Sequence, residues 1–525
     1  MNVTLLDSTL RDGSQGENIA FSAEDKLKIA EALDELGVGY VECGNPASNP
    51  KDAHFFAMLR ERPLRRARAV AFGSTCRVGG TPADDAGVRA LLDAGTGAVS
   101  VFGKASVLHV EEVLRTSREE NLRIIRETVA YLKAAGREVL FDAEHFFDGC
   151  RLDENYALSV LRAARDAGAD WLVLCDTNGG TLPDELSIRV RRAKSEVPGR
   201  YAIHCHNDCG LAAACSLAAV SAGAEQVQGT LLGFGERCGN TNLSTVIGIL
   251  QAKRGISCIP PEQLPRLTRV CAYVADIANL VPDQSMPFVG RAAFAHKGGM
   301  HVDGVLKSPE TFEHLSPETV GNTRTYLLSE QAGRSALHAR LAPLFPELGR
   351  DAPELGRLLA KLKEKEAEGY VYEAAGASFE LLALRELGRW KPFFEVIRFR
   401  TLGEQGTTSS AMVKVRVNDE FAITADEGAG PVNALDKALR KAVGQFYPAL
   451  DEMRLTDFKV RVISPQDATA AKVRVLIEST DGRQSWTTVG VSEDIIHASL
   501  DALVDSIVYK LRAGCSFPAL KEFQK

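Results

Sequence analysis

Several features that would define a function class are missing from this 525-residue sequence. No uninterrupted apolar run approaches the roughly 18 residues that a membrane span needs, so no membrane partner is expected. The formal net charge is −7, from 62 basic and 69 acidic residues, and this balance gives no basic surface for nucleic acid. The 11 cysteines are odd in number and scattered, which favours reduced thiols over a disulfide framework. No signal peptide precedes the first apolar run, and a cytoplasmic protein is therefore expected.

The first 255 or so residues alternate between short apolar runs and segments with helical periodicity. Ala23–Leu36 is one such helical segment, with apolar residues at three- and four-residue spacing after a candidate N-cap, Ser22. Eight repeats in this length favour one closed (β/α)8 TIM barrel over two doubly wound domains. The glycine pattern GxGxxG, which would favour a dinucleotide fold, does not follow the first run. The eight runs are Val3–Leu6, Tyr40–Cys43, Ala69–Phe72, Val99–Phe102, Val139–Phe141, Trp171–Cys175, Tyr201–His204 and Glu225–Gly229.

The regular alternation stops after about residue 280. We predict a catalytic barrel over 1–281, a linker region over 282–390 and a C-terminal domain over 391–525. The linker region is first irregular and rich in Gly, Pro and His, and then mainly helical from residue 334. The C-terminal domain reads as a compact α+β unit, and no repeat beyond the barrel period is apparent. Its predicted strands are Val396–Arg400, Ala411–Val417, Phe458–Ile463 and Lys472–Glu478, and its predicted helices are Val432–Phe446 and Asp494–Leu511.

Polar residues gather where the predicted barrel strands end, which is where barrel enzymes carry their catalytic and binding residues. Five strand ends share this property, and such a common register is unlikely to arise by chance. They are Asp7–Gly13, Asp142–His145, Asp176–Asn178, His204–Asp208 and Gly233–Asn240.

The pair His204 and His206 is the sharpest feature of these strand ends. Residues i and i+2 of a strand point to the same face, so both imidazoles can reach one ion. A lone His-x-His pattern is weak, since either histidine could be a hydrogen-bonded core residue. The carboxylate of Asp12 and the amide oxygen of Asn240 strengthen the metal reading, because a mixed N/O set suits a divalent cation that also holds substrate. Cys205 points away from the histidine face and is interpreted as a core thiol.

Arg11 and Glu144 each allow a structural and a functional interpretation. Arg11 could form an ion pair with a barrel carboxylate, or it could donate to an oxygen that gains negative charge during a reaction. Glu144 could be a buried hydrogen-bonding acid, or it could transfer a proton or orient water. Both lie on the metal's side of the predicted barrel, which favours the functional readings.

These residues belong to motifs that resemble a known family. The motifs of Leu10–Gly13, His204–Asp208 and Gly235–Asn240 are similar to those of the Claisen-condensing barrel enzymes, which include the isopropylmalate, homocitrate and citramalate synthases. Three longer segments resemble the citramalate synthases in particular, namely Phe141–Gly149, Trp171–Pro183 and Ala295–Asp303. The segments Gly428–Lys441 and Trp486–Ser492 resemble the C-terminal regulatory and dimerisation domain of these synthases, and this domain is absent from the related lyases.

The resemblance implies a role for each candidate residue. It implies one divalent ion, Mg²⁺, Mn²⁺ or Zn²⁺, and catalytic roles for Arg11, Glu144 and His301. It implies substrate contacts by Arg11, Gln15, Glu144 and Thr177. The family's nearby tyrosine has only Tyr326 as a weak counterpart, and Asn45 stands where the citramalate synthase pattern has tryptophan. The implied metal ligands are Asp12, His204, His206 and Asn240.

The implied activity is a condensation of acetyl-CoA, as co-substrate, with a 2-oxo acid. Pyruvate would give citramalate, a precursor in isoleucine biosynthesis. Two alternatives are an isopropylmalate- or homocitrate-type synthase with another oxo acid and, more remotely, a metabolite sensor without activity. The C-terminal domain is expected to form a homodimer, and the resemblance adds a branched-chain amino acid as an effector. The segment Gly428–Pro431, at a predicted helix start, is the candidate for binding the effector's carboxylate.

Overall fold

The computed structural model describes residues 2–327, 333–403, 408–464 and 470–513. The chain divides into two compact units. The first comprises Met1–Phe294 with Glu313–Arg324, and the second comprises Ala295–Phe312 with Thr325–Lys525. The domain boundaries at 281 and 390 stay predictions. None of the described helices has both the length and the apolar character needed to cross a membrane.

The first unit is built around a closed barrel of eight parallel strands, in which the first strand pairs with the eighth. The predicted TIM barrel is thereby confirmed. Each strand is short, and apart from β3 the strands are mostly buried, which is why they read in the sequence as apolar runs. The strands are β1 (Thr4–Asp7), β2 (Tyr40–Gly44), β3 (Arg68–Ser74), β4 (Ala98–Lys104), β5 (Glu138–Glu144), β6 (Trp171–Asp176), β7 (Tyr201–Cys205) and β8 (Gln226–Gly229).

Helices surround the barrel, and the first of them has the predicted bounds. A capping box starts it, since Ser22 accepts from the Asp25 backbone N–H while the Asp25 side chain accepts from the Ser22 backbone N–H. It ends at Gly37, whose φ of 91° is left-handed and whose Cα lies so close to Pro260 that a Cβ would be 2.3 Å from the proline ring. The helices of this unit are α1 (Ala23–Leu36), α2 (Pro50–Glu61), α3 (Ala86–Asp93), α4 (Arg118–Ala134), α5 (Phe146–Asp166), α6 (Pro183–Glu196), α7 (Ala212–Ser221), α8 (Leu243–Ile247) and α9 (Leu267–Ile277).

The barrel interior consists of an apolar layer with a polar layer above it. Tyr40, Leu140 and Ala202 belong to a buried cluster that also contains Val70 and Trp171. Two residues further along three of these strands stand Glu42, Asp142 and His204, which are also buried. Because side chains at i and i+2 share a face, the apolar layer closes the barrel beneath the polar groups. The site is therefore confined to the carboxyl end of the strands.

The second unit begins with a helical part and continues into two antiparallel sheets. The helices are α10 (Gly299–Lys307), α11 (Arg334–Leu341), α12 (Pro353–Glu368) and α13 (Gly376–Glu386), and a short parallel pair is formed by β9 (Ala295–His296) and β10 (Thr325–Tyr326). The helical subdomain and the C-terminal α+β domain are thereby confirmed as fold elements. One core joins them, with Leu358 of α12 and Leu382 of α13 in the same buried cluster as residues of the sheets.

The C-terminal part repeats one motif of three antiparallel strands followed by a helix. The first copy is β11 (Glu395–Leu402), β12 (Ser409–Val417), β13 (Glu420–Gly428) and α14 (Pro431–Gly444). The second copy is β14 (Arg454–Val462), β15 (Val473–Thr480), β16 (Ser485–Ser492) and α15 (Ile495–Ala513). This structural repeat corrects the expectation of no repeat beyond the barrel, and β13 and β16 were not predicted.

Candidate active site

The predicted metal ligands of the first unit meet at the mouth of the barrel. Asp12 follows β1 through a short turn, His204 lies in β7, and His206 comes directly after that strand. Asn240 lies in the loop after β8, where it forms an antiparallel bridge with His206. Because parallel strands end at the same rim of the barrel, residues that are far apart in the sequence come together here.

Asp12, His204 and His206 offer ligand atoms that all lie within 4.8 Å of one another. Oδ2 of Asp12 is 3.2 Å from Nε2 of His204 and 3.8 Å from Nε2 of His206. All three residues are buried. Within the described part of the chain, this is the single cluster of three or more such side chains with metal-binding spacing. The i and i+2 histidines therefore face one point, as the sequence pattern predicts.

A glutamine behind His204 holds one nitrogen of its ring. Gln228 donates from Nε2 to Oε1 of Gln226 at 3.1 Å, which leaves its own Oε1 as an acceptor for Nδ1 of His204 at 3.2 Å. Nε2 of His204 faces Oδ2 of Asp12 at 3.2 Å, and this carboxylate outweighs burial and raises the pKa of the imidazole. This arrangement, in which one ring nitrogen is held by a neighbour and the other is left for a ligand, is typical of metal-binding histidines.

Asn240 provides an oxygen that lacks a partner within the described chain. Its Nδ2 donates to the Phe234 carbonyl at 3.1 Å, while Oδ1 is buried and accepts no hydrogen bond there. An unsatisfied buried acceptor costs about 1–3 kcal/mol, so a cation near this oxygen would offset a real penalty. Gly235 permits the arrangement, because a Cβ at that position would lie 2.4 Å from Nδ2 of Asn240. The residues present thus fit a divalent cation with N and O ligands.

The electrostatics keep two of these side chains ready to bind a cation at neutral pH. Burial raises the pKa of Asp12, but Arg11 and the two histidines outweigh it and hold the pKa of this carboxyl well below its usual range. Burial, together with the neighbouring His204, lowers the pKa of His206 to about 4. Asp12 is therefore anionic and His206 neutral at pH 7, and these are the forms that bind metals.

Arg11 forms the ion pairs of its structural interpretation, while its role toward substrate stays a prediction. Its Nε donates to Oε2 of Glu42 at 2.6 Å, and its Nη1 donates to Oδ2 of Asp12 at 3.0 Å. The guanidinium lies 3.8 Å from the centre of the Phe72 ring. Its Nη2 makes no hydrogen bond to any described residue. The ion pairs thus fix the plane of the group and leave one edge available as a donor.

Glu42 is a member of this site that the sequence analysis missed. It is fully buried in β2, where Oε2 accepts from both Arg11 and the Ser8 hydroxyl, the latter at 2.5 Å. Asp142 also lies in this layer and accepts from Ser100 at 3.0 Å, and burial together with Glu42 raises its pKa to about 7. The sequence did contain a sign of this role for Glu42. It is an acidic residue inside an apolar run, and it follows by two residues Tyr40, whose side chain faces into the barrel.

Glu144, Thr177 and Gln15 lie at the rim of the barrel. Glu144 forms an ion pair with Lys104, its cross-strand neighbour at the end of β4, and this lysine was also missed. Thr177 uses its hydroxyl to accept from the backbone N–H of His145 at 2.9 Å. Gln15 is exposed in the turn after Asp12. Their roles in substrate binding stay predictions.

His301 and Tyr326 belong to the second compact unit. His301 is exposed on α10, and its ring stacks on Phe312 with a centroid distance of 4.2 Å. Tyr326 lies in β10, with its ring centre 6.5 Å from that of His296. The catalytic role of His301 stays a prediction.

Comparisons with known proteins agree with this architecture. Residues 2–272 match the HMGL-like family, 288–369 the homocitrate synthase post-HMGL domain-like family, and 373–511 the LeuA allosteric (dimerisation) domain. The chain is 50% identical to an (R)-citramalate synthase of Aquifex aeolicus (strain VF5), covering 97% of this chain and 98% of the relative. It is 49% identical to that of Synechocystis sp., covering 97% and 96%. Identity to a 2-isopropylmalate synthase of Methanocaldococcus jannaschii is 31%, covering 96% and 94%.

Proposed function

Because the chain belongs to the HMGL-like family and, within it, to the (R)-citramalate synthases, we propose that it condenses acetyl-CoA with pyruvate. Hydrolysis of the thioester then releases (R)-citramalate and CoA for isoleucine biosynthesis. The observation that carries this proposal is the identity of about half the residues over nearly the whole length of several citramalate synthases. The identity to an isopropylmalate synthase is much lower, at 31%.

The same membership implies a divalent metal ion, either Mg²⁺, Mn²⁺ or Zn²⁺, and the mouth of the barrel offers a suitable ligand set. We assign its ligands to the carboxylate of Asp12, the imidazoles of His204 and His206, and Oδ1 of Asn240. When bound, a divalent ion supplies Lewis-acid polarisation of a substrate carbonyl. Burial of the four ligands excludes water from the charged groups, which strengthens every electrostatic interaction with an anionic oxo acid.

Arg11 has the geometry to stabilise the oxygen that becomes negative. The attack of the acetyl-CoA enolate carbon on the ketone carbon places negative charge on the ketone oxygen. Glu42 and Asp12 hold two of the guanidinium nitrogens, and Nη2 remains to donate to that oxygen. A donor that is already fixed in place costs no reorganisation during the reaction.

The proton transfers are assigned to His301 and Glu144. On the resemblance to the family, His301 is our candidate for removing a proton from the methyl group of acetyl-CoA, with help from Glu144, and the electron pair of that C–H bond forms the enolate. Glu144, held by Lys104, orients water for hydrolysis of the thioester. The alkoxide formed in the condensation takes up the proton that was removed from the methyl group. In the hydrolysis the water oxygen forms the new carboxylate, one proton of the water goes to the leaving thiolate of CoA, and the other goes to solvent.

The oxo-acid preference tests the proposed function. Purified enzyme with a divalent ion and acetyl-CoA is expected to release free thiol fastest with pyruvate, measured as kcat/KM against 2-oxoisovalerate and 2-oxoglutarate. A preference for one of these two would instead make the chain an isopropylmalate- or homocitrate-type synthase. If no oxo acid gave thiol release, a sensor without activity would be the better interpretation.

For the second unit we propose a homodimer that binds a branched-chain amino acid, isoleucine if citramalate is the product. The match to an allosteric, dimerisation domain supports both parts. The candidate segment Gly428–Pro431 leads into α14, with Gly430 as its N-cap. One backbone N–H of the segment is already used, since Ala429 donates to Oδ1 of Asn433 at 3.2 Å.

Isoleucine is expected to bind the full-length enzyme and to inhibit it, shifting substrate affinity by about 5–150-fold, the usual range of allosteric coupling. Gly428→Ala is expected to weaken this inhibition, because its Cβ would lie 2.5 Å from the backbone nitrogen of Ala434 in α14. Calorimetry and rate measurements with isoleucine, leucine and valine check both statements.

Gly444→Ala is the matched control, since a Cβ there would meet no atom within 4 Å. The full chain is required, because α13 shares its core with the sheets and removal of 391–525 would expose it. The absence of binding by all three amino acids would leave the C-terminal part as a dimerisation scaffold alone.

A further inference from the structure

One arginine side chain connects three loops at the mouth of the barrel. Arg237, in the loop after β8, donates from Nε and Nη2 to the two carboxylate oxygens of Asp208, at 2.8 and 3.0 Å. Asp208 lies in the loop after β7. The same Nη2 donates to the backbone carbonyl of Thr177, in the loop after β6, at 2.8 Å. We call Arg237, Asp208 and the Thr177 carbonyl the loop clamp.

Two of the clamped loops carry proposed metal ligands. His206 stands two residues before Asp208, and Asn240 stands three residues after Arg237. The two loops also touch through the backbone, where the N–H of Asn207 donates to the carbonyl of Gly239 at 2.9 Å. A movement of Arg237 would therefore displace the loop that holds Asn240 relative to the loop that holds His206.

The backbone around the clamp is shaped for this contact. Gly179 has a φ of 62°, and a Cβ there would lie 2.5 Å from Oδ2 of Asp208. Arg237 itself has a φ of 53°, a left-handed conformation that a non-glycine residue adopts only when its surroundings hold it. The loop after β6 thus approaches Asp208 so closely that only a glycine fits at position 179. The hydrogen bonds of Arg237 hold this residue in its strained backbone conformation.

We propose that Arg237 is a positioning residue that sets the metal affinity of the site by clamping the loops that carry His206 and Asn240. The inference rests on the proposed metal site. The planar guanidinium is essential to it, because three acceptors on two loops are met by a rigid fork and a lysine ammonium cannot meet them with the same geometry. Arg237 acts through the ligands and does not itself need to touch the metal or the substrate.

The test measures metal affinity directly in the full-length enzyme. Chelator-stripped wild type and Arg237→Lys are titrated with Mn²⁺ by calorimetry. The variant is expected to bind about 10–100-fold more weakly, the usual effect of losing a group that orients metal ligands. Saturating Mn²⁺ is expected to restore most of kcat. Asp208→Asn is expected to act similarly, and the double variant should bind no more weakly than the weaker single variant.

Arg162→Lys is the matched control. Arg162 pairs with Glu196 at 3.3 Å, and its side chain is 40% exposed against 39% for Arg237, but it joins two outer helices. Mn²⁺ affinity in this control should equal that of the wild type.

Unchanged affinity in Arg237→Lys with a raised KM for acetyl-CoA would overturn the inference and make Arg237 a contact for the phosphates of CoA. An equal loss of Mn²⁺ affinity in Arg162→Lys would also overturn the inference, because the loss would then be a general effect of reduced stability. A wild type that binds no Mn²⁺ would overturn the metal site itself, which is a separate result.

Discussion

His204→Ala and Asp12→Ala are each expected to abolish turnover and to reduce bound metal, while the fold remains intact. Each change removes one of the three side chains whose ligand atoms lie within 4.8 Å of one another. The barrel core lies beneath this layer, so the loss of one ligand leaves the packing of Leu140 and Trp171 unchanged. Steady-state thiol release, metal content by mass spectrometry and thermal unfolding by circular dichroism give the three measurements.

The control for these variants is Cys205→Ala, on the strand position between the two histidines. Cys205 is buried in the outer core with its side chain on the opposite face, so this variant should keep its metal and its activity. Full activity in either ligand variant, or in enzyme stripped by a chelator, would contradict the metal assignment.

Arg11→Lys is expected to lower kcat by about 100-fold or more, comparable to the loss of one oxyanion donor. The lysine keeps the positive charge, but its single ammonium cannot hold both Glu42 and Asp12 in the present plane and still present a donor to substrate. The loss should lie mainly in kcat, because the charged oxygen appears only as the reaction proceeds. Initial rates over a range of pyruvate concentrations separate kcat from KM.

A matched change at the other end of the barrel provides the control. Arg68 forms an ion pair with Glu138 and lies 5.9 Å from the Tyr40 ring, but it is far along β3 from the mouth. Arg68→Lys should therefore leave kcat unchanged. A rise in KM alone for Arg11→Lys would show that Arg11 binds the ground state and does not stabilise the developing charge.

The fold was largely predictable because a parallel barrel leaves a strong signal. Most of its strands are buried on both faces and read as apolar runs, and helix α1 has both an apolar stripe and a capping box. The common direction of His204 and His206 was predictable for a similarly local reason, since their two-residue spacing on a strand decides it, and their metal-binding role stays a prediction.

The contacts that side chains make across the barrel could not be predicted by considering one strand at a time. Glu42 and Lys104 acquire their roles only when closure brings β2 beside Arg11 and aligns β4 with β5. Strand β13 was missed for another reason. Its large apolar residues, Phe421 and Ile423, lie on the exposed face, while Ala422 and Thr424 face the core. Its hydrophobic pattern is therefore the reverse of what an amphipathic strand leads one to expect.

The apolar layer of Tyr40, Leu140 and Trp171 also bears on the order of events in a catalytic cycle. Because side chains fill the barrel along its axis, the site opens at one end only, so both substrates enter and both products leave by the same path. On the proposed metal site, the small oxo acid lies at the depth of His204 and the much larger thioester above it. We therefore expect sequential entry with the oxo acid first, and we expect CoA to depart before the condensed acid beneath it.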